Sequence, residues 1–275
     1  MKISIINCFC DETLNSGNPA AVVVNFEGAD AERQALAIHL YVTKQMPVTV
    51  FLDQEHNKHT IRFFYPSLEM NMCIHGTLAA AYLILASSDQ STCTLITRDN
   101  NEIHIVREGN RLQAVLKEKR TDEIRLDNQA IASLLNLPND FAISSNLPAG
   151  VFSVGSPKYL IPLNSDEQLQ IIEPNFAAIT HWSNEAGVNG LYVYVPISNS
   201  NNAFKARGFN PKGGCNEDAA TGVAVGALVS ALQAPHITVL QGESIGHPCR
   251  LIGSLRKNKD NEDILVGGIV QYDHS

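Results

Sequence analysis

A thiol and an imidazole, Cys73 and His75, stand two residues apart in "NMCIHGTLAAAYLI" (71–84), just ahead of a run of alanine and aliphatic residues. A carboxylate, Asp218, occupies a similar position in "CNEDAATGVAVGAL" (215–228), ahead of a second small-residue run. Side chains of these types move protons on and off carbon when they flank a bound substrate. Each also has a plain structural reading. A cysteine before a helix is commonly buried filler, a histidine there caps or packs, and an aspartate there is a natural N-cap. Their spacing across the chain is what lifts them above those readings.

The elements that must position them repeat. Residues 62–66 read Arg-Phe-Phe-Tyr-Pro and residues 207–211 read Arg-Gly-Phe-Asn-Pro, both R-x-F-x-P and 145 positions apart. About ten residues after each comes a small-residue helix, "GTLAAAYLILA" from Gly76 and "TGVAVGALVSAL" from Thr221. Earlier in each half a G-x-P turn leads into a strand, "GNPAAVVV" at 17–24 and "GSPKYLIPL" at 155–163. Three matches in one order indicate two related halves. The same offset sets Cys73 against Asp218, His75 against Ala220 and Gly76 against Thr221. Polar residues are nearly absent from both helices, so each is expected to be buried all round by its own sheet. If the halves pack about a pseudo-twofold axis, the unsatisfied N–H groups of both helix starts converge on one cleft suited to a carboxylate.

Alternation marks strands at 2–8, 47–52, 59–65, 93–98, 102–107, 111–116, 150–163, 190–196, 204–209, 237–241, 250–255 and 264–272. Helical patterning marks 30–41, 76–87, 128–135, 174–184 and 221–233. The charged stretch 117–127 reads as a linker, and "RKNKDNED" at 256–263 as a polar connection. A net charge of −8 argues against phosphate-backbone binding, and the short basic run "KEKR" at 117–120 reads as a solvated face. No apolar run approaches the roughly 20 residues that span a bilayer. Six scattered cysteines form neither a disulfide framework nor a zinc pattern. The N-terminal stretch lacks a small-residue cleavage site, so a cytoplasmic chain with free thiols is expected.

The stretches "GNPAAVV" (17–23), "PSLEMNMCIHGTLAAAY" (66–82) and "ARGFNPKGGCNEDAATGVAVGAL" (206–228) resemble those of the phenazine-biosynthesis PhzF-like family, in the family's order. The resemblance implies the α+β, diaminopimelate-epimerase-like fold: two similar halves, each a curved mixed sheet around a central buried helix. It sets the halves at 1–117 and 118–261, with 262–275 returning to the first. It also implies a homodimer without metal or organic cofactor, acting on a small carboxylate-bearing metabolite, with no nucleic-acid or membrane partner. The best-understood family reaction isomerises trans-2,3-dihydro-3-hydroxyanthranilate by a carboxylate-mediated proton shift. By the same resemblance His75 and Asp218 contact substrate, Asn18 lines the pocket, and Gly76, Thr77, Thr221 and Gly222 supply helix-start contacts.

Two departures bear on activity. The family's acid/base glutamate aligns with Pro47 in "KQMPVTVF" (44–51), where no side chain is a carboxylate and the Gln45 amide relays no proton. Ile74 replaces the family's usual glycine before the histidine and is expected to narrow the pocket. Glu69 matches a family glutamate and reads as a loop-fixing acceptor, and Cys215 as a structural thiol. Three readings stay open. One is a cofactor-independent isomerase or epimerase using Asp218, His75 and Cys73. The second, favoured by Pro47 and opposed by the retained His75 and "EDAATG", is a small-molecule binder. The third is an interaction protein, to which nothing in the composition points.

Overall fold

Apolar, alanine-rich runs without a charged face have nowhere to go but inside, and the two such runs here become helices enclosed by strands. The computed structural model describes residues 2–11, 16–55, 58–118, 120–122, 124–138, 140–198, 200, 202–257 and 262–273. Strands β1 (Lys2–Cys10), β2 (Asn18–Val24), β3 (Thr49–Glu55), β4 (Lys58–Phe64), β5 (Glu69–Met70), β6 (Thr92–Thr97), β7 (Glu102–Glu108) and β8 (Arg111–Leu116) form a first series. Helix α1 (Asp30–Lys44) falls between β2 and β3, and α2 (Ile74–Ala86) between β5 and β6. After β9 (Arg120–Asp122) and α3 (Asn128–Leu135) comes a second series. It comprises β10 (Gly150–Ser153), β11 (Lys158–Pro162), β12 (Leu191–Pro196), β13 (Ala203–Asn210), β14 (Cys215–Asp218), β15 (Ile237–Gln241), β16 (Cys249–Lys257) and β17 (Glu262–Tyr272). Helices α4 (Asp166–Gln170) and α5 (Phe176–Glu185) lie between β11 and β12, and α6 (Gly222–Leu232) between β14 and β15.

The pairing senses repeat in step. β1–β2 is antiparallel, β2–β3 parallel, β3–β4 antiparallel, β4–β6 parallel, and β6–β7 and β7–β8 antiparallel. The series β10–β11, β11–β12, β12–β13, β13–β15, β15–β16 and β16–β17 runs through the same senses. The fold is therefore α+β and duplicated. β17 joins the two series. One of its edges pairs with β8 along Ile264–Ile269, while the other pairs with β16 along Glu262–Gly267 and then with β1 along Ile269–Tyr272. Strands β1–β2–β3–β4–β6–β7–β8–β17 thereby close into a ring, and α2 packs against its members. The second ring closes through the chain itself, because β9, just beyond β8, pairs with β10. Both helices belong to one continuous apolar core, and a second core lies under α3, α4 and α5.

Several expectations are adjusted. The single strand expected at 150–163 is a hairpin of β10 and β11, because Gly155 takes φ +139°, a left-handed-side conformation glycine alone adopts freely, just before Pro157. The presumed linker at 117–127 contains β9, a ladder strand. Short elements such as β14 and α4 carry too few periods to be read from pattern. Residues 258–261 of the polar connection, and Lys119 of the basic run, lie outside the described residues. No described helix is long and apolar enough to cross a membrane.

The repeated R-x-F-x-P has a physical role. In each half the arginine forms a two-pronged bond to a glutamate on the strand that leads toward the buried helix. Arg62 Nε and Nη2 donate to Glu69 at 2.7 and 2.8 Å, and Arg207 Nε and Nη2 donate to Glu217 at 2.9 and 2.8 Å. Each guanidinium also lies 5.1 Å from the ring of the motif's phenylalanine, Phe64 or Phe209. Planar guanidinium suits both contacts, which lysine could not make together.

The Arg207–Glu217 pair is nearly sealed from water, at 12% and 10% side-chain exposure. Arg207→Met strands a buried carboxylate and is expected to lower unfolding free energy by about 3–5 kcal/mol. Urea denaturation measures this, and the double variant Arg207→Met/Glu217→Met should recover most of the loss.

Candidate active site

Cys73 is the N-cap of α2, a position usually held by an oxygen side chain. Its backbone is extended, and its sulfur accepts the Gly76 N–H at 3.3 Å. The Tyr65 hydroxyl donates to the same sulfur at 3.2 Å, and His75 Nδ1 lies 3.3 Å from it. With Nδ1 protonated, three donors converge on one Sγ. Thr77 is spent behind it, donating its N–H and hydroxyl to the Cys73 carbonyl. Cys8 donates its thiol to the His75 carbonyl at 3.2 Å and so pins that turn.

His75 is buried. Desolvation, the largest influence, pulls its pKa down, but the charge and hydrogen bond of Cys73, with Asp218 beyond, outweigh it and leave the pKa raised. Burial above all, then Cys73 and Asp218, pushes the Tyr65 phenol well above its usual value, so it remains a donor.

Asp218 ends β14 rather than capping α6. The helix starts at Gly222, its N-cap is Thr221, and the N-cap reading of Asp218 is thereby corrected. Asp218 Oδ2 accepts from the Thr221 hydroxyl at 3.0 Å and Oδ1 from Asn18 Nδ2 at 2.8 Å. Gln241, buried, ties the loop together. Its amide donates to the Asp218 carbonyl and the Thr221 hydroxyl, and its oxygen accepts from Thr221 N–H and Tyr192. Asn18 Nδ2 also donates to the Ala220 carbonyl, which fixes the amide's orientation and leaves its buried Oδ1 without a protein partner.

Cys73, His75, Asp218, Thr221 and Gly222 line one cavity of about 20 Å³ between the starts of α2 and α6. That is room for a single water. A larger hollow of about 450 Å³ adjoins it and shares Asp218 as a wall; Asn18, Gln45, Pro47 and Cys215 line it too. The two spaces meet at Asp218. Gly76 and Thr77 are not in either wall; both serve Cys73. Ile74 is: a β-carbon added at Gly222 would meet Ile74 Cβ at 2.8 Å, so the two helix tips touch there. The expected narrowing is physical contact. Burial, ahead of Asp218 and Glu217, pushes Cys215 up to about 12, which keeps it a thiol.

Sequence reading missed Tyr65, Gln241 and Lys158. Lys158, on β11, is buried and lines the small cavity; its amine donates to the Asn189 carbonyl. Burial, against the opposing pull of Asp218 and Cys215, brings its pKa down to about 8. The available signal was a lysine embedded in "SPKYLIPL", an otherwise apolar strand.

The sequence matches the family described as phenazine biosynthesis-like protein (PhzC-PhzF) over residues 6–270. A protein described as an uncharacterized isomerase, YddE of Salmonella typhimurium, is 31% identical over 86% of this chain and 82% of its own. A second protein described as an uncharacterized isomerase, from Clostridium acetobutylicum, is 26% identical over 78% of this chain and 73% of its own. Among solved structures, a Bacillus anthracis phenazine biosynthesis protein of the PhzF family superposes with TM-score 0.84 at 20% identity, covering 99% of this chain and 97% of that one. A hydroxyproline epimerase from Agrobacterium vitis superposes with TM-score 0.62 at 11% identity, covering 98% and 88%. Both likenesses concern the fold.

Histidine NMR titration should find the His75 imidazole protonated above the ordinary histidine range. Cys73→Ala removes the larger opposing influence and leaves Asp218 alone against burial, so the same resonance should move down. Because its folded pKa is raised, His75 stabilises the fold fully below the ordinary pKa and loses that contribution as pH climbs through the folded value. Ile74→Ala should widen the contact between the helix tips and lower unfolding free energy by about 2–5 kcal/mol, read by urea denaturation.

Proposed function

The chain belongs to the PhzC-PhzF family of phenazine biosynthesis-like proteins, and we propose that it is an isomerase or epimerase shifting a proton on a small carboxylate-bearing metabolite. The carrying observation is that Cys73, His75 and Asp218 share one cavity between two helix starts. In this reading the Cys73 thiolate, held by Tyr65, Gly76 N–H and protonated His75, takes the proton from carbon. His75 steadies the sulfur's charge and shields it from water. The substrate's carboxylate lies at the start of α6, which has no side-chain cap to satisfy its first N–H groups. Asp218 and the unpartnered Asn18 Oδ1 accept hydrogen bonds from the substrate's amino or hydroxyl groups.

A cavity sized for one water cannot hold such a substrate, so binding requires the two helix starts to part, with the outer hollow as the way in. Closure afterwards removes water and strengthens each charge interaction inside. Pro47 lines the outer hollow and has no proton to exchange, which is why the thiol carries the chemistry in this reading. The same proline favours the second reading, a binding protein that has kept the cleft and lost turnover.

Deuterium exchange separates the two. The protein is incubated in D2O with trans-2,3-dihydro-3-hydroxyanthranilate, trans-4-hydroxy-L-proline and the common amino acids, and carbon-bound deuterium is followed by NMR. The isomerase reading expects exchange with at least one compound, lowered by about a hundredfold or more in Asp218→Asn and Cys73→Ala. Calorimetric binding without any exchange would establish the binder instead.

A further inference from the structure

Lys158 is an ionisable side chain of the cavity wall that takes no part in the roles of Cys73, His75 and Asp218. Strand alternation ordinarily turns a lysine's amine to water, yet the residue is 3% exposed. Its amine donates to the Asn189 carbonyl, and among the described residues no carboxylate forms an ion pair with it. An ammonium has three donors, so one carbonyl leaves two for whatever fills the cavity. Lys158 arrives on β11, in the second series of strands, whereas Cys73 and His75 arrive on the first.

We propose that Lys158 is the second proton carrier of this site, its ammonium facing the Cys73–His75 pair across the one-water gap and returning to the substrate the proton that Cys73 removes. The inference rests on the isomerase reading and deepens it. Cys73 thiolate takes a proton from a substrate carbon, and the electron pair of the broken C–H bond passes into the adjoining carboxylate or conjugated system. Lys158 then gives a proton to a different carbon, or to the opposite face of the same one, and that electron pair forms the new C–H bond. The protein is left as thiol and amine, with one proton moved between them. Cavity water or the reverse reaction restores the starting pair, and nothing is oxidised or reduced.

The surroundings suit a group that both holds and yields a proton. The cavity's desolvation weakens the ammonium, while Asp218 and Cys215 on β14 favour it, and the balance lies near pH 8. Cys73, His75 and Tyr65 line the same cavity. Such an amine is mostly charged at neutral pH and still deprotonates readily, as an arginine would not. Asp218 is the poorer choice for this part, because both its oxygens already accept hydrogen bonds from Asn18 and Thr221.

Two substitutions and two readouts test it. Lys158→Arg keeps the cation but cannot give up its proton; Lys158→Met keeps the length and removes the charge. Circular dichroism checks that each is folded. The first readout is deuterium exchange at the carbon, or on the face, that receives the new C–H bond in trans-2,3-dihydro-3-hydroxyanthranilate and trans-4-hydroxy-L-proline. The second, independent of substrate, is the rate at which iodoacetamide alkylates Cys73, followed by peptide mass spectrometry with the other cysteines as internal standards. The expected result is a loss of exchange of about a hundredfold or more in both variants. Cys73 alkylation should be kept in Lys158→Arg and slowed by about tenfold in Lys158→Met, because a neighbouring cation favours the reactive thiolate. Exchange by Lys158→Arg at the wild-type rate overturns the transfer role and leaves the isomerase reading standing. Unchanged Cys73 alkylation in Lys158→Met overturns the facing arrangement whatever the substrate. Absence of exchange by the wild-type protein with both probes and with the common amino acids removes the isomerase reading and the transfer step with it.

Discussion

Two arginine–glutamate pairs hold this architecture to its purpose. A helix with no polar face can be enclosed in many ways, and apolar packing alone does not dictate where its first turn points. The bonds from Arg62 to Glu69 and from Arg207 to Glu217 are directional, and they fasten the short strands that immediately precede the two helix starts. Stacking on Phe64 and Phe209 fixes the guanidinium planes in turn. The result is that Ile74 and Gly222 meet, and side chains from opposite halves of the chain close on one small space.

That space gathers charge in a setting that ordinarily rejects it. A thiol, an imidazole, a carboxylate and an amine share its walls. Burial pulls the pKa values of His75 and Lys158 in one direction, and their anionic neighbours pull in the other; for His75 the neighbours prevail, for Lys158 burial does. The difference follows from contact. His75 lies within hydrogen-bonding distance of a sulfur, whereas the Lys158 amine meets a neutral carbonyl.

The duplication was legible in the sequence because it is carried by local patterns: the two R-x-F-x-P motifs, the G-x-P turns, and two helices lacking any charged face. Cys73, His75 and Asp218 could be brought together on paper because each precedes one of those helices. Tyr65 stood inside a recognised motif, yet its repeat partner is Asn210, so symmetry gave no hint of its hydrogen bond to sulfur. Gln241 and Lys158 come from strands distant in sequence, and their partners are backbone carbonyls and loop residues set by tertiary packing. The β10–β11 hairpin hid because an apolar turn built on Gly155 and Pro157 interrupts no hydrophobic pattern.

The shared strand β17 has a consequence for how the molecule comes into being. The first ring lacks its closing member until a segment encoded a whole repeat later has emerged, since β1 and β8 meet only through residues 264–272. While the intervening residues are being synthesised, α2 and the greasy interior around it stay unsealed, with two open strand edges inviting incorrect partners. Such long-separation pairing makes for slow folding. Both barrels therefore reach completion together rather than one after the other.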